Sequence, residues 1–193
     1  MNVKLLFGIL SIIPAVFAYY AYFRDIFAGK TKTHAFSWLI WGTLAANGFI
    51  AQVGAHAGIG AWATGLTSVA SLTIFALAIF KGDTKPTVLD WVLLGLATVG
   101  FLLLFVIQNK DITLWITIIA LVTGFAVTIR KAYRKPYEET GMAFLLNTVK
   151  FLPSILALSS VTFLTVAYPV AALLGNAVIA IIIYSRRKVV AKS

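Results

Sequence analysis

Seven apolar stretches separated by short polar joints constrain the fold of this chain more than any other feature of its sequence. A helix needs roughly 20 apolar residues to cross the hydrocarbon core of a bilayer. The predicted spans are residues 5–23, 35–53, 61–80, 87–107, 112–129, 142–160 and 164–185. They leave no room for a soluble domain. We therefore expect an all-α integral membrane protein with seven transmembrane helices.

The beginning of the chain resembles a signal peptide, because Lys4 precedes an apolar run with small residues near Ala18. The run continues past Ala18 to Phe23, so we expect it to be retained as the first span. The composition agrees with a membrane protein. Of all residues, 61% are hydrophobic and 11% are charged, whereas soluble domains carry about 25% charged residues.

Basic residues are concentrated in alternate joints. The joints at 24–34, 81–86 and 130–141 and the tail at 186–193 hold 13 of the 16 lysines and arginines. Seven spans place these segments on one side, and positive charge stays on the cytoplasmic side. We expect an outside N-terminus and a cytoplasmic C-terminus, in a bacterial-type inner membrane or plasma membrane. This orientation accounts for the net charge of +10, so no nucleic-acid partner is expected.

Two basic joints, at 24–41 and 129–144, mark an internal repeat with an offset of 106 residues, or 105 near the end of each copy. The matched residues are Arg24 and Arg130, Phe27 and Tyr133, Trp38 and Phe144, Trp41 and Asn147, and Ser71 and Asn176. One span separates the copies, so both point the same way, as in parallel-repeat transporters. We predict a three-helix bundle at 1–80, a linker helix at 87–107, a second three-helix bundle at 112–185 and a basic tail at 186–193.

Several segments resemble the PQ-loop superfamily, which includes the SWEET and SemiSWEET sugar transporters. They are Pro14 in the first span, Lys-Thr-Lys-Thr-His-Ala-Phe-Ser at 30–37, the tryptophans of the second span, and Arg-Lys-Pro-Tyr-Glu-Glu-Thr at 134–140. The resemblance implies a carrier in which two parallel three-helix bundles, joined by a linker helix, rock about a central site. It also implies a sugar-like solute.

The family holds its sugar between aromatic residues of spans 2 and 6 and asparagines of spans 3 and 7. By resemblance, the substrate-binding residues are Asn176, Ser71 in place of the span 3 asparagine, Trp38 or Trp41, and Asn147 and Lys150 of span 6. The family's hinge prolines correspond to Pro14 and Pro153. Gly124 stands in span 5 as a further flexible point, because glycine weakens a helix locally.

Lys150 is a charge inside an apolar span, which costs about 2.5–3.5 kcal/mol at the bilayer centre. Two interpretations remain open. In the first, Lys150 faces the cavity and binds an anionic group of the solute. In the second, its long stem extends toward the headgroups.

Other polar and aromatic residues also leave two interpretations. Asn47 and Asn147 either bind solute or bond neighbouring helices. Trp38 and Trp41 belong either to the cavity or to an interfacial aromatic belt. The charges Arg24, Asp25, Arg130, Glu138 and Glu139 either form an inner gate or only set the orientation.

The sequence offers no chemistry for catalysis or coupling. It has no cysteine, and its two histidines, His34 and His56, form no spaced ligand pair, so no metal and no cofactor are expected. No nucleophile–base pair is apparent, so we expect no catalytic residues and no enzyme. All six acidic residues lie in joints or at span ends, which favours transport without a buried proton relay.

The predicted function is facilitated diffusion of a small polar solute across a lipid bilayer by alternating access. A vitamin or nucleoside carrier of related fold is an alternative within the same class. A membrane receptor or accessory protein that binds without transporting is the alternative of a different class. A homo-oligomer is compatible with each.

Overall fold

The computed structural model describes residues 2–31, 33–106 and 110–190, and these form seven α-helices and no β-strand. The helices are α1 (Val3–Phe27), α2 (Ala35–Gly54), α3 (Trp62–Lys81), α4 (Val88–Val106), α5 (Lys110–Arg134), α6 (Gly141–Leu156) and α7 (Phe163–Arg187). Two 3-10 turns, Gly58–Ala61 and Pro136–Glu138, precede α3 and α6. The prediction of an all-α chain with seven helices is confirmed.

Four helical segments of the described chain are long and apolar enough to cross a membrane. They are Val3–Phe27, Gly58–Lys81, Asp111–Arg134 and Phe163–Arg187. Val88–Leu103 and Gly141–Leu156 are apolar but shorter. These lengths indicate a membrane location.

The surface of the helices carries many large apolar side chains, which a soluble protein would mostly bury. Large apolar residues such as Phe17, Phe80 and Ile181 are exposed. Alanines, serines and threonines account for many of the fully buried positions, for example Ala18 and Thr64. Small residues between helices allow close backbone approach, as is common in membrane bundles.

The helix ends differ from the predicted spans mainly beside the basic joints. α1 continues through Arg24 and Asp25 to Phe27, and α5 continues through Lys131 to Arg134. Basic side chains in a last turn are favourable because the C-terminus of a helix carries partial negative charge. The joint charges are therefore partly helical.

The break between the last two helices lies where the sequence marks it weakly. α6 ends at Leu156, and α7 begins after Thr162, whose side chain and that of Thr165 form a capping box. The tight turn predicted at 108–111 lies largely outside the described residues. Lys32 and tail residues 191–193 also lie outside them.

Six of the helices pack in a ring-like order. α3 packs against both α1 and α2, and α7 packs against both α5 and α6. The ring is completed by the contacts of α1 with α6 and of α2 with α5, while α4 contacts both α2 and α5. A buried cluster that includes Ile40, Leu44, Phe125, Tyr168 and Ile179 joins α2, α5 and α7.

The end that carries the 55–60 and 157–162 joints is tightly closed, and we call it the sealed end. The Ser159 backbone N–H donates to the Ala57 carbonyl at 2.8 Å, and the Lys4 ammonium donates to the Ser159 carbonyl at 3.3 Å. The Ser154 hydroxyl donates to the Gly60 carbonyl at 2.8 Å. The opposite end carries the basic joints, and we call it the basic end.

Gly60 provides a test of the sealed end. A Cβ atom at Gly60 would lie 2.8 Å from the Leu158 nitrogen and 2.8 Å from the Ser154 oxygen, which are backbone atoms that cannot rotate away. We expect Gly60→Ala to lower the free energy of unfolding by about 1–3 kcal/mol, in the range for an overpacked site. The thermal unfolding midpoint in detergent measures this change.

Gly95 in α4 is the matched control, because a Cβ atom there meets no atom within 4 Å. We expect Gly95→Ala to be neutral or to raise stability by about 0.5–1 kcal/mol, because alanine is the better helix former. Equal unfolding midpoints for the two variants would contradict the close approach of Gly60 to α6.

Candidate functional site

A small central cavity is lined by residues of α1, α2, α3, α5, α6 and α7. All six residues predicted to bind solute line it, namely Trp38, Trp41, Ser71, Asn147, Lys150 and Asn176. Its volume is about 20 Å³, which is close to the space required by one water molecule. In this conformation the six side chains therefore surround a nearly closed site.

The Lys150 side chain is fully buried and points into this cavity instead of extending toward an end of α6. Its ammonium donates to the Tyr19 hydroxyl at 3.1 Å and to the Thr67 hydroxyl at 2.8 Å. It also lies 4.8 Å from the ring centre of Tyr19 and 4.9 Å from that of Phe151. These partners come from α1, α3 and α6, so the ammonium lies at the junction of three helices.

The same cavity contains polar atoms that have no partner among the described residues. The Asn176 amide N–H donates to the Ala172 carbonyl at 2.7 Å, but the Asn176 Oδ1 atom is unpaired in the described part of the chain. Asn147 Oδ1 and Ser71 Oγ are also buried and unpaired. Buried polar atoms are normally hydrogen-bonded. These atoms are therefore available to a bound water or ligand.

A larger cavity of about 500 Å³, which we call the vestibule, lies at the basic end. Tyr22, Trp38, Trp41 and Phe144 line both the vestibule and the central cavity. The Trp38 indole donates to the Tyr22 hydroxyl at 3.2 Å, and the Trp41 ring meets that of Phe125 edge-on at 4.9 Å between centres. Aromatic side chains thus separate the two cavities.

Charged side chains surround the vestibule in pairs. The Lys131 ammonium lies 2.6 Å from the Glu139 carboxylate, and Lys135 lies 3.5 Å from Glu138. His34 lies 3.8 Å from the Asp90 carboxylate. Glu138 and Glu139, two of the predicted gate residues, are therefore at this opening.

The other predicted gate charges lie elsewhere. Arg24 pairs with its neighbour Asp25 at 2.8 Å, and Asp25 also accepts a hydrogen bond from Thr140 at 3.0 Å. Arg130 is exposed on α5. Asp25 and Thr140 therefore link α1 to the start of α6, beside the vestibule.

The three predicted hinge residues lie within helices. Pro14 is inside α1 and Pro153 is inside α6, where each lacks the amide hydrogen of a regular helical turn. Gly124 in α5 packs against Trp41, since a Cβ atom at Gly124 would lie 3.5 Å from the indole nitrogen. Their role as hinges stays a prediction.

Sequence reasoning missed Tyr19 and Thr67, the two hydrogen-bond partners of Lys150. A signal for Tyr19 was present, because Ser11, Ala15, Ala18, Tyr19 and Tyr22 form one buried face of α1 at helical spacing. For Thr67 no comparable signal exists, because α3 contains several other threonines and serines.

No family model, curated protein or solved structure matches this chain.

Glu139, outside the predicted spans, gives a prediction about pH. Burial raises the pKa of its carboxyl above the ordinary value, and the nearby Lys131 ammonium opposes this shift without cancelling it. The folded chain then keeps a proton at pH values where the unfolded chain releases it. Glu139 therefore contributes stability that is present below its unfolded pKa of about 4.3 and is lost as the pH rises through its folded pKa.

We expect Glu139→Gln to remove this contribution to the pH dependence, because glutamine does not titrate. The measurement is the thermal unfolding midpoint of both proteins from about pH 4 upward. The midpoint of the parent chain should fall relative to that of the variant as the pH rises. Parallel curves would show that the Glu139 carboxyl has the same pKa in the folded and unfolded chains.

Proposed function

We propose that this chain is a membrane carrier that moves a small polar solute by alternating access, as facilitated diffusion. The observation that carries the proposal is that the six residues predicted by the resemblance, from α2, α3, α6 and α7, all line one buried cavity. A buried site with polar and aromatic walls, reached from one end, is what an alternating-access carrier requires.

The packing of the helices supports two parallel three-helix bundles, α1–α3 and α5–α7, with α4 as linker. If α5, α6 and α7 repeat α1, α2 and α3, the contact of α1 with α6 is equivalent to that of α5 with α2. Both contacts are present. The contacts of α3 with α1 and α2 likewise have equivalents in those of α7 with α5 and α6.

The walls of the central cavity follow the same repeat. Residues at an offset of 106, or 105 in the third helix of each bundle, line it together. The pairs are Tyr19 and Phe125, Trp38 and Phe144, Trp41 and Asn147, Thr67 and Ala172, and Ser71 and Asn176. A site between two repeats is the usual place for the solute in such carriers.

The difference between the two ends supports alternating access. Hydrogen bonds between the bundles close the sealed end, for example from Ser159 to Ala57. The vestibule enters at the basic end and reaches the aromatic side chains that cover the site. With all seven helices spanning and the basic end cytoplasmic, this conformation faces inward.

Passive transport agrees with the central cavity, because no acidic side chain of the described chain lines it. A membrane receptor with the same fold would bind solute without moving it, and flux separates the two possibilities. Sugars, which the family resemblance implies as solutes, are among the compounds whose flux is to be measured.

Asn176→Ala tests the cavity. We expect the variant to lose saturable counterflow by about tenfold or more in liposomes, because the loss of one polar contact to a bound solute costs about 1–3 kcal/mol. The panel contains sugars, nucleosides, amino acids and small organic acids. Absence of flux for every solute, from folded parent protein, would favour a receptor.

Asn47→Ala is the matched control. Asn47 is also a buried mid-helix asparagine, but its amide donates to the Ala97 carbonyl of α4 at 3.0 Å and lies away from the central cavity. We expect this variant to lose stability and to keep its flux per folded molecule. Equal losses of flux in both variants would contradict the specific role of Asn176.

A reversible cross-link tests whether the sealed end must open. The chain has no cysteine, so introduced thiols have no competitors. A Cβ atom built at Gly58 lies 3.0 Å from the Ser159 Cβ atom, and a small adjustment reaches the roughly 3.5–4.5 Å of a disulfide. We expect oxidised Gly58→Cys/Ser159→Cys protein to lose flux and to recover it on reduction.

The two single-cysteine variants are the controls. Gly58 has a φ of 66°, which is unfavourable for any residue with a side chain, so the substitution alone could affect the protein. They should transport under both oxidising and reducing conditions. Undiminished flux in the cross-linked protein would mean that solute does not pass through this end.

A further inference from the structure

Lys150 is a fully buried lysine for which the described part of the chain supplies no acidic partner. The two hydrogen bonds of its ammonium go to neutral hydroxyls, those of Tyr19 and Thr67. The ion pairs of the described chain involve other residues. A buried cation held only by neutral groups keeps much of its desolvation cost, and an anion beside it would offset that cost.

The Lys150 ammonium can donate one more hydrogen bond besides those to Tyr19 and Thr67. An ammonium has three N–H donors, and two of these hydrogen bonds are accounted for. The Thr67 hydroxyl hydrogen already goes to the Ala63 carbonyl at 2.7 Å. The Tyr19 hydroxyl accepts from Lys150 and still carries a hydrogen that it can donate.

The other unpaired atoms of the cavity are suited to a ligand with neutral hydrogen-bond donors. The unpaired atoms Asn147 Oδ1 and Asn176 Oδ1 are acceptors, so they match hydroxyl groups. An ammonium group on the ligand would find no carboxylate among the described lining residues and would be repelled by Lys150. Amino acids, with a positive charge beside the carboxylate, therefore fit less well than hydroxy acids.

The spacing limits the size of the ligand. Asn147 and Lys150 are three residues apart on α6, so their side chains share a face, with Cβ atoms about 5–6 Å apart. One short molecule can reach both, with its carboxylate and a hydroxyl a few bonds apart. The small volume of the closed cavity also favours a short ligand.

The first half of the proposed repeat has no lysine at the position equivalent to Lys150. At the offset of 106, Lys150 corresponds to Leu44, which is buried and apolar. The bundle therefore packs an apolar residue at the equivalent place in its first half. A lysine there needs a reason other than packing.

We propose that the solute is a small hydroxy monocarboxylate, with its carboxylate bound by Lys150 and its hydroxyls by Asn147 and Asn176. This inference rests on the proposed function, because it names the solute class of the same cavity. A neutral sugar or nucleoside would leave the Lys150 charge without a partner.

The test compares glycerate with glycerol, which differ mainly in the carboxylate, and lactate with alanine, in which an ammonium replaces the hydroxyl. Binding is measured as the ligand-dependent rise in unfolding temperature of the full chain in detergent, and flux is measured in liposomes. We expect binding and saturable flux of glycerate and lactate, each at least tenfold stronger than for its partner compound.

Lys150→Gln should weaken glycerate binding about 30-fold or more, as expected when one member of a buried charge pair is removed. Lys150→Met, which matches the length of lysine, replaces this variant if the glutamine does not give folded protein. Lys30→Gln is the control, because it makes the same charge change at an exposed site.

The two measurements separate the inference from the proposed function. Glycerate binding that depends on Lys150, without flux, would support the ligand class and contradict the carrier. Saturable flux of neutral solutes that is unaffected by Lys150→Gln would support the carrier and overturn the inference. Absence of glycerate binding by the folded parent chain would also overturn it.

Discussion

A polar group that faces hydrocarbon has no water to bond, and this constraint orders the structure. The chain places its large apolar side chains outside and turns its amides, hydroxyls and mid-helix charge toward the helix interfaces. Some of these interior polar groups bond to another helix. The Asn47 amide N–H donates to the Ala97 carbonyl, and the Gln52 amide N–H donates to the Thr165 carbonyl. Such bonds tie α2 to α4 and to α7, so the polar interior also fixes the arrangement of the helices.

Among the interior polar groups of the described chain, the Lys150 ammonium is the one whose burial its partners compensate least. Its hydroxyl partners and the π faces of Tyr19 and Phe151 reduce the cost of burial, but dipoles compensate a full charge less well than an opposite charge does. The protein keeps this group beside the unpaired amide oxygens of Asn147 and Asn176. Unsatisfied groups that are scattered only lower stability, whereas those gathered around one cavity make the entry of a complementary molecule favourable.

The sequence was sufficient to predict the seven helices, because span length and the basic joints are properties of consecutive residues. Through the repeat and the resemblance, it also singled out six of the sixteen residues that line the central cavity. It did not predict the partners of Lys150, which depend on how α1 and α3 pack against α6. The adjacent Tyr19 and Tyr20 illustrate the difficulty. One is buried beside Lys150 and the other is exposed, and only tertiary packing distinguishes two neighbouring tyrosines on an apolar helix.

The two halves of the cavity agree in position but differ in chemistry. At the offset of the repeat, Trp41 corresponds to Asn147, Ser71 to Asn176, and Leu44 to Lys150. The amides and the ammonium of the cavity therefore belong to α6 and α7, whereas α1–α3 supply hydroxyls and indoles. A symmetric site would hold a solute equally well in two opposite orientations. In the proposed carrier, the ammonium on α6 and the indole on α2 would give a solute one orientation, and the divergence between the two copies of the repeat would determine which solute is bound.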